Sequence, residues 1–410
     1  MHVIFVEPRF PFNQREFVRG LHAAGARVTG VGERPWESFD DELKSWMVGY
    51  EQVQTVVHEG TMLETVKRIQ SRGWVDRLEA TVEAHILPAA KVREAAGIPG
   101  TSVRTAFLCR DKPAMKEALR AADVPCARSS GVSSAQELRM FAAEVGYPII
   151  LKPRAGAGAA GTQRVANDRE LESAIVEQGL DRGAHPGAGV AAEEYIEGHE
   201  GFYDTISIGG RVVHEFVSHY YPNVLEAMRT RWISPQIVTT NRVDAPGYGD
   251  LRKMGQQVIE ALGIGTSATH MEWFFGPKGL KFSEIGCRPP GVGVWDLYAA
   301  ANEFDIYREW AHAVVDGAPV ERLSRRYACG MINLRPDRDG RIRAYEGLEK
   351  IEQQFGEWRI DSHLPPVGSP TAGVAGGYMV NAWMRFKHPD YDQLRRMLDS
   401  VGRTVKILAA

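Results

Sequence analysis

The chain opens on four consecutive apolar residues, Val3-Ile4-Phe5-Val6, the pattern of a short strand buried on both faces. A helical stretch over 16–24 ends at Gly25, and a second apolar run at 27–31 completes the strand–helix–strand start of an open α/β layer. From Asp111 onward the helix caps are explicit. Asp111 precedes Met115, Ala118, Leu119 and Ala122, which share one helical face, and Val124-Pro125 ends that helix. Ser134 with Glu137, and Asn167 with Glu170, make two further capping patterns. The first opens a helix carrying Leu138, Phe141, Ala142 and Val145, stopped by Gly146. Between the two caps the pattern predicts a strand over 147–151, a Gly-rich loop over 154–162 and an extended piece over 163–165.

Strands are predicted at 191–196 and 203–208, with Gly209-Gly210 turning the chain into a third at 211–220. A helix over 251–262 stops at Gly263, and strands at 269–275 and 280–285 flank Gly276-Pro277-Lys278-Gly279. Residues 295–315 read as mostly helical. Beyond about residue 326 the pattern is β-rich, at 327–334, 341–345 and 376–386, before a closing helix over 391–401. The fold class is therefore α/β and α+β. The expected division is an α/β unit over 1–104, a small unit with the Gly-rich loop over 105–190, a central unit with the last hairpin over 191–325, and an α+β module over 326–410.

Composition narrows the partners. At 410 residues, 44% hydrophobic and 25% charged, the chain has room for several cores, which excludes wholesale disorder. A net charge of −3 supplies no basic footprint, so neither nucleic acid nor a membrane surface is an expected partner. No apolar run reaches the ~18 residues of a membrane span, and no basic leader precedes the first strand, so the expected location is cytoplasmic. The four cysteines form no CxxC pair and no zinc spacing, which fits a reducing compartment and thiols without a catalytic role. A small-molecule partner is expected.

Two places carry candidate chemistry. Gly156-Ala157-Gly158-Ala159-Ala160-Gly161 matches G-x-G-x-x-G, but an extended segment follows it where the dinucleotide fingerprint needs a helix. A Walker A loop fails as well, because Thr162 stands where its lysine is required. What remains is a glycine loop between two strands, whose N–H groups can approach phosphate oxygens. Lys152 and Arg154 stand at its start, and an ordinary Gly/Ala hairpin is the competing reading. The second place is His270-Met271-Glu272 with Ser283-Glu284-Ile285. If residues 277–279 form a three-residue loop, Gly276 pairs with Leu280 and Glu272 faces Glu284. Opposed carboxylates need a positive charge between them, and Mg²⁺ suits a site with few carboxylates completed by phosphates and water. Arg288 follows at once, held by Pro289-Pro290-Gly291 and suited to an oxyanion or phosphoryl group. Two solvated glutamates and a surface arginine are the alternative.

In this order and spacing the segments resemble the ATP-grasp superfamily, and within it the carboxylate–amine ligases such as the L-amino acid ligases and carnosine synthase. The resemblance covers nearly the whole chain. It implies an ATP-grasp fold: an N-terminal α/β domain, a two-part ATP-binding region and a small β-rich C-terminal module. It implies that Lys112, in Arg110-Asp111-Lys112, and Lys152, in Tyr147-Pro148-Ile149-Ile150-Leu151-Lys152-Pro153, contact ATP. It makes Gly156, Gly158, Gly161 and Thr162 part of a loop closing over the phosphates. In Glu193-Glu194-Tyr195-Ile196, Glu193 would accept the adenine amino group and the Glu194 carbonyl and Ile196 amide would read the purine edge. Glu200 would hold the ribose. Glu272 and Glu284 would bind Mg²⁺, with Mn²⁺ as an alternative ion, and Arg288 would stabilise an acylphosphate or tetrahedral intermediate. His270 two residues before Glu272 tilts the resemblance to the amino-acid ligase branch, with Arg229 and Arg231 as candidates for holding a substrate carboxylate. Many relatives carry Asn two residues after the second glutamate, where this chain has Gly286. The implied partners are a small carboxylate and an amine; the sequence does not give the oligomeric state, and a homodimer is expected only as the commonest assembly of soluble enzymes. Competing readings are a purine-biosynthesis or carboxylase-type enzyme and a non-catalytic ATP-binding protein.

Overall fold

A computed structural model describes residues 1–155, 161–182, 189–373 and 381–410. The first strands form a parallel sheet in the order β3-β2-β1-β4, from β1 (His2–Val6), β2 (Arg27–Gly32), β3 (Gly49–Gln52) and β4 (Arg77–Glu79). Its helix Gln14–Ala23 carries Phe17 into a core shared with the later helix Ile306–Val315, the Phe17 ring lying 4.9 Å from Tyr307 and 5.0 Å from Trp310. Gly20 permits this approach, since a Cβ there would stand 2.5 Å from the Tyr307 carbonyl oxygen. Arg19 adds an ion pair to Asp305 at 2.7 Å. The N-terminal layer is thereby fixed against elements three hundred residues downstream.

A second, antiparallel sheet runs β5-β8-β6-β7, from β5 (Ser129–Val132), β6 (Ile149–Pro153), β7 (Gln163–Val165) and β8 (Val190–Glu194). The helices Ala135–Val145 and Asp168–Glu177 cover it, each capped as the sequence predicts: Ser134 accepts from the Glu137 N–H and Asn167 from the Glu170 N–H. The strand expected at 147–151 starts two residues later, after Pro148, which has no N–H to give to a ladder. That shift puts Lys152 inside the strand.

The third sheet is antiparallel and eight-stranded. It contains β9 (His199–Ile208), β10 (Arg211–Tyr221), β11 (Gln236–Thr239), β12 (Ser267–Gly276), β13 (Gly279–Gly286) and β14 (Ala328–Leu334). After β15 (Ile342–Glu346), β16 (Arg359–His363) and β17 (Ala382–His388) complete it, in the order β13-β12-β9-β10-β11-β14-β17-β16. β15 pairs separately with β18 (Lys406–Ala409). Residues 295–315 form two helices, Val294–Asn302 and Ile306–Val315; Glu303 between them takes a positive φ of 55°, and Asp305 caps the second. The strand expected at 376–386 is found at β17, and residues 374–380 lie outside the described residues. β5, β11, β18 and the helix Leu348–Phe355 had no counterpart in the hydrophobic pattern.

Candidate active site

The second sheet faces the β12–β13 edge of the third across a cleft of about 700 Å³, whose far wall is the N-terminal layer. The hairpin β12–β13 reaches the expected pairing by an unexpected route. Its turn holds two residues, Pro277 and Lys278, with Gly276 paired to Gly279. Such a turn alone would set Glu272 opposite Ser283. A bulge between Glu272 and Trp273 absorbs one extra residue, and Glu272 pairs with Glu284. The residue expected in the loop is in the ladder. The hairpin tip in turn abuts the segment after β8: a Cβ on Gly276 would fall 2.0 Å from the Glu197 carbonyl oxygen, and one on Gly198 would fall 2.5 Å from that of Phe275.

Charges converge here. Lys112, at the start of the helix Lys112–Ala121, lies 3.3 Å from Glu284. Burial raises the Glu284 carboxyl, but Lys112 and Lys152 outweigh it and hold the group below its ordinary value. Glu272 moves the other way, raised by burial and then by Glu284. Lys152 sits 3.1 Å from Glu193, and Lys116 sits 2.5 Å from the same carboxylate. Burial pushes Glu193 up, yet the two lysines bring it down to about 2. Lys116 went unnoticed in the sequence although it stands one helical turn after Lys112 on the same face; that i,i+4 spacing was the available signal.

The remaining candidates divide. Gly161, at φ 71°, and Thr162 stand at the near end of the glycine loop, and Thr162 lines the cleft; Gly156 and Gly158 lie outside the described residues. Arg154, at the start of that loop, is paired with the cap residue Asp111 at 2.9 Å. Glu193, Glu194, Ile196 and Glu200 all line the cleft. The Glu193 carboxylate, expected to face an adenine amino group, instead holds two lysines, and the Glu194 carboxylate reaches Lys278 in the hairpin turn. Glu200 accepts the Val224 N–H at 2.7 Å; burial and the Glu272 charge raise its carboxyl to about 8. His270 lines the cleft, its Nδ1 bonded to buried Asp204 at 2.7 Å, with Tyr298 donating to the other Asp204 oxygen at 2.6 Å. Burial lowers the His270 pKa, but Asp204 more than compensates and raises it. Arg229 lines the cleft. Arg231 does not: it is paired with Asp339 at 2.8 Å on the C-terminal module, which corrects its expected place beside a substrate carboxylate.

Arg288 donates through Nε to Glu83 at 2.8 Å and through Nη1 to the Pro289 carbonyl at 3.0 Å. Glu83 belongs to the N-terminal layer, where it opens the helix Glu83–Ala95. No local signal announces it, because its partner is 205 positions away in sequence. The pair also explains Gly286. A Cβ there would lie 3.2 Å from Glu83 Oε2 and 3.4 Å from Arg288 Cγ, so an asparagine would crowd the pair. Among the described residues no three His, Cys, Asp or Glu side chains converge to hold a metal ion. The donor set at the hairpin is two carboxylates, which fits a hard cation taking its other ligands from phosphates and water.

Residues 111–201 match the model of the carbamoyl-phosphate synthase L chain ATP-binding domain. The crystal structure of L-amino acid ligase from Bacillus licheniformis superposes with a TM-score of 0.78 at 16% identity, covering 100% of this chain and 98% of that one. The chain has the ATP-grasp fold. Among curated relatives, the L-arginine-specific L-amino acid ligase of Bacillus subtilis is 26% identical over 316 residues, 74% of this chain and 72% of that protein. Alanine–anticapsin ligase of Bacillus subtilis (strain 168) is 25% identical over 235 residues, 52% of this chain and 48% of that protein. No helix among the described residues is long and apolar enough to cross a membrane.

Proposed function

We propose that this ATP-grasp protein is an ADP-forming carboxylate–amine ligase that makes a peptide or amide bond on small amino-acid-like substrates. The observation that carries the reading is the pairing of Glu272 with Glu284 on the hairpin that walls a lysine-lined cleft, with Arg288 beside it. The cleft suits a nucleotide. Ile150, Phe274 and Phe282 offer apolar walls for a base beside the 193–196 segment, Glu200 is placed for ribose hydroxyls, and Lys112 and Lys152 for phosphates. Glu272 and Glu284 would hold Mg²⁺, or Mn²⁺, which accepts the same oxygen donors. The bound ion would draw charge from the phosphate oxygens.

The chemistry takes two steps. A substrate carboxylate oxygen attacks the γ-phosphorus, the bond to the β-phosphate oxygen breaks, and ADP leaves. The amine nitrogen of the second substrate then attacks the acyl carbon and loses a proton, the bond from that carbon to the bridging oxygen breaks, and inorganic phosphate departs with that oxygen. Lys112 and Lys152 offset charge on the transferring group, and Arg288, oriented by Glu83, offsets the oxyanion of the second step.

The N-terminal wall bears on the substrate. Its cleft residues are Pro11, Asn13, Gln14, Phe17, Thr81, Val82 and Glu83, without a lysine or arginine and with one carboxylate. Such a wall supplies no cation of its own for the phosphate of a phosphoribosyl substrate, its one carboxylate being already paired with Arg288, which favours the amino-acid reading over the purine type. The test is phosphate release across amino-acid pairs, with hydroxylamine replacing the amine in a separate assay to trap acylphosphate as a hydroxamate. Release that requires both an acid and an amine supports the ligase; release driven by bicarbonate, or none with any pair, overturns it. Light scattering checks the expected homodimer.

A further inference from the structure

The three lysines of the cleft are not equivalent. Lys116 and Lys152 both converge on Glu193, at 2.5 Å and 3.1 Å. Lys112 alone of the three reaches the hairpin, 3.3 Å from Glu284 Oε2, with the two side chains only 8% and 23% exposed. The facing carboxylates of Glu272 and Glu284 thus already have a cation beside them, and it belongs to the chain. We propose that Lys112 is an internal counter-ion that neutralises Glu284 in place of the divalent cation, so that the cleft takes up metal together with nucleotide and not before it. This rests on the ligase reading of the same site.

The argument is electrostatic. Lys112 offsets one of the pair's two negative charges at contact distance, and Lys152 adds to the positive field on both carboxylates. A divalent ion arriving alone meets a weakened attraction and must also displace a partner already in contact, in surroundings where such pairs are poorly screened. A nucleotide changes the balance, because its phosphates offer the ammonium a more highly charged partner. The lysine stem is long and rotatable, so the exchange needs only side-chain movement. Once the ammonium moves to phosphate, Glu284 is released to the ion. Metal and nucleotide then favour each other's binding, and the coupling is reciprocal.

The experiment titrates Mn²⁺ into the full-length protein without nucleotide, following free Mn²⁺ by electron paramagnetic resonance. Lys112→Met is expected to bind one Mn²⁺ at least ~10-fold more tightly than the wild type. Its melting temperature rises with Mn²⁺ alone, whereas that of the wild type stays put. The double variant Lys112→Met/Glu284→Gln loses the gain, which localises it to the hairpin. Equal affinity in wild type and Lys112→Met, or a gain that survives in the double variant, overturns the proposal. Should Lys112→Met fail to fold, the wild type decides. Its Mn²⁺ affinity, corrected for ion held by free ADP, is expected to rise at least ~10-fold with ADP present, and no rise overturns the proposal. A wild type that binds no Mn²⁺ even with ADP would instead overturn the ligase reading itself.

Discussion

Strands β9, β10 and β12 carry opposite chemistry on their two faces. Toward the cleft they present Glu200, Tyr220, His270 and Glu272, beside the lysines that hold Glu193 and Glu284 charged, while burial and neighbouring carboxylates raise Glu200 and Glu272. Away from it they present His199, His219 and Trp273, packed with Tyr221, Tyr248 and Tyr391. There the polar atoms pair as neutral groups: His199 Nε2 meets His219 Nδ1 at 2.9 Å, and His219 Nε2 meets the Tyr248 hydroxyl at 2.7 Å. Burial, then His199 and Arg395, pushes His219 down to about 3. Comparable burial therefore has two outcomes. Where opposite charges converge, as at Glu193 and Glu284, ionised groups persist; on the other face the two histidines hydrogen-bond to each other and to Tyr248, and the His219 pKa falls.

The largest expected effect lies on the cleft face. Arg288→Ala should lower amine-dependent phosphate release by about 10²–10³-fold, the usual cost of losing an oxyanion partner, with the melting curve retained. Near-normal turnover in that variant would mean that the charged face is structural after all.

A smaller effect separates the faces by pH. The His219 pKa is lower folded than its ordinary 6.5, so the unfolded chain takes up a proton that the folded chain refuses. Its contribution to stability is full above about 6.5 and falls as pH drops toward about 3, by about 1.4 kcal/mol per pH unit. Glu193, depressed to about 2, loses its contribution only below its ordinary 4.5. Between pH 7 and 5 the raised Glu200 contributes a slope of the opposite sign, so the His219 contribution is read by chemical denaturation as the difference between the wild type and His219→Gln, which should lose less stability toward pH 5. An unchanged slope in His219→Gln would assign acid sensitivity elsewhere.

The smallest effect is expected at Arg231, whose partner Asp339 is 59% exposed. Arg231→Ala should leave kcat/KM unchanged and shift stability by less than about 1 kcal/mol. Arg229→Ala, which removes a cleft-lining guanidinium, should raise KM for the acid substrate. Equal losses in both would restore Arg231 to the substrate.

Legibility in the sequence followed the range of the interaction. The Ser134 and Asn167 caps were readable because donor and acceptor lie three residues apart. Glu272 facing Glu284 was readable because a hairpin joins them, although the bulge that sets their register left no mark. Glu83 was unreadable because only tertiary packing brings the N-terminal layer to Arg288. Lys116 was a lysine on a mostly apolar helix, and nothing nearby in sequence says that Glu193 will meet it. β11 and β5 are four residues each, and Ser129-Ser130-Gly131-Val132 has little of the bulk that marks a strand.

Hairpin tips are where protein engineers ordinarily splice in tags and reporters, because little usually touches them. The Pro277-Lys278 tip is a poor choice here. Gly276 and Gly198 let two backbones press together without side chains between them, and Lys278 ties the tip to Glu194. An inserted peptide would pry the second sheet from the hairpin edge, and a library screened for tolerated insertions should come back empty at this one turn.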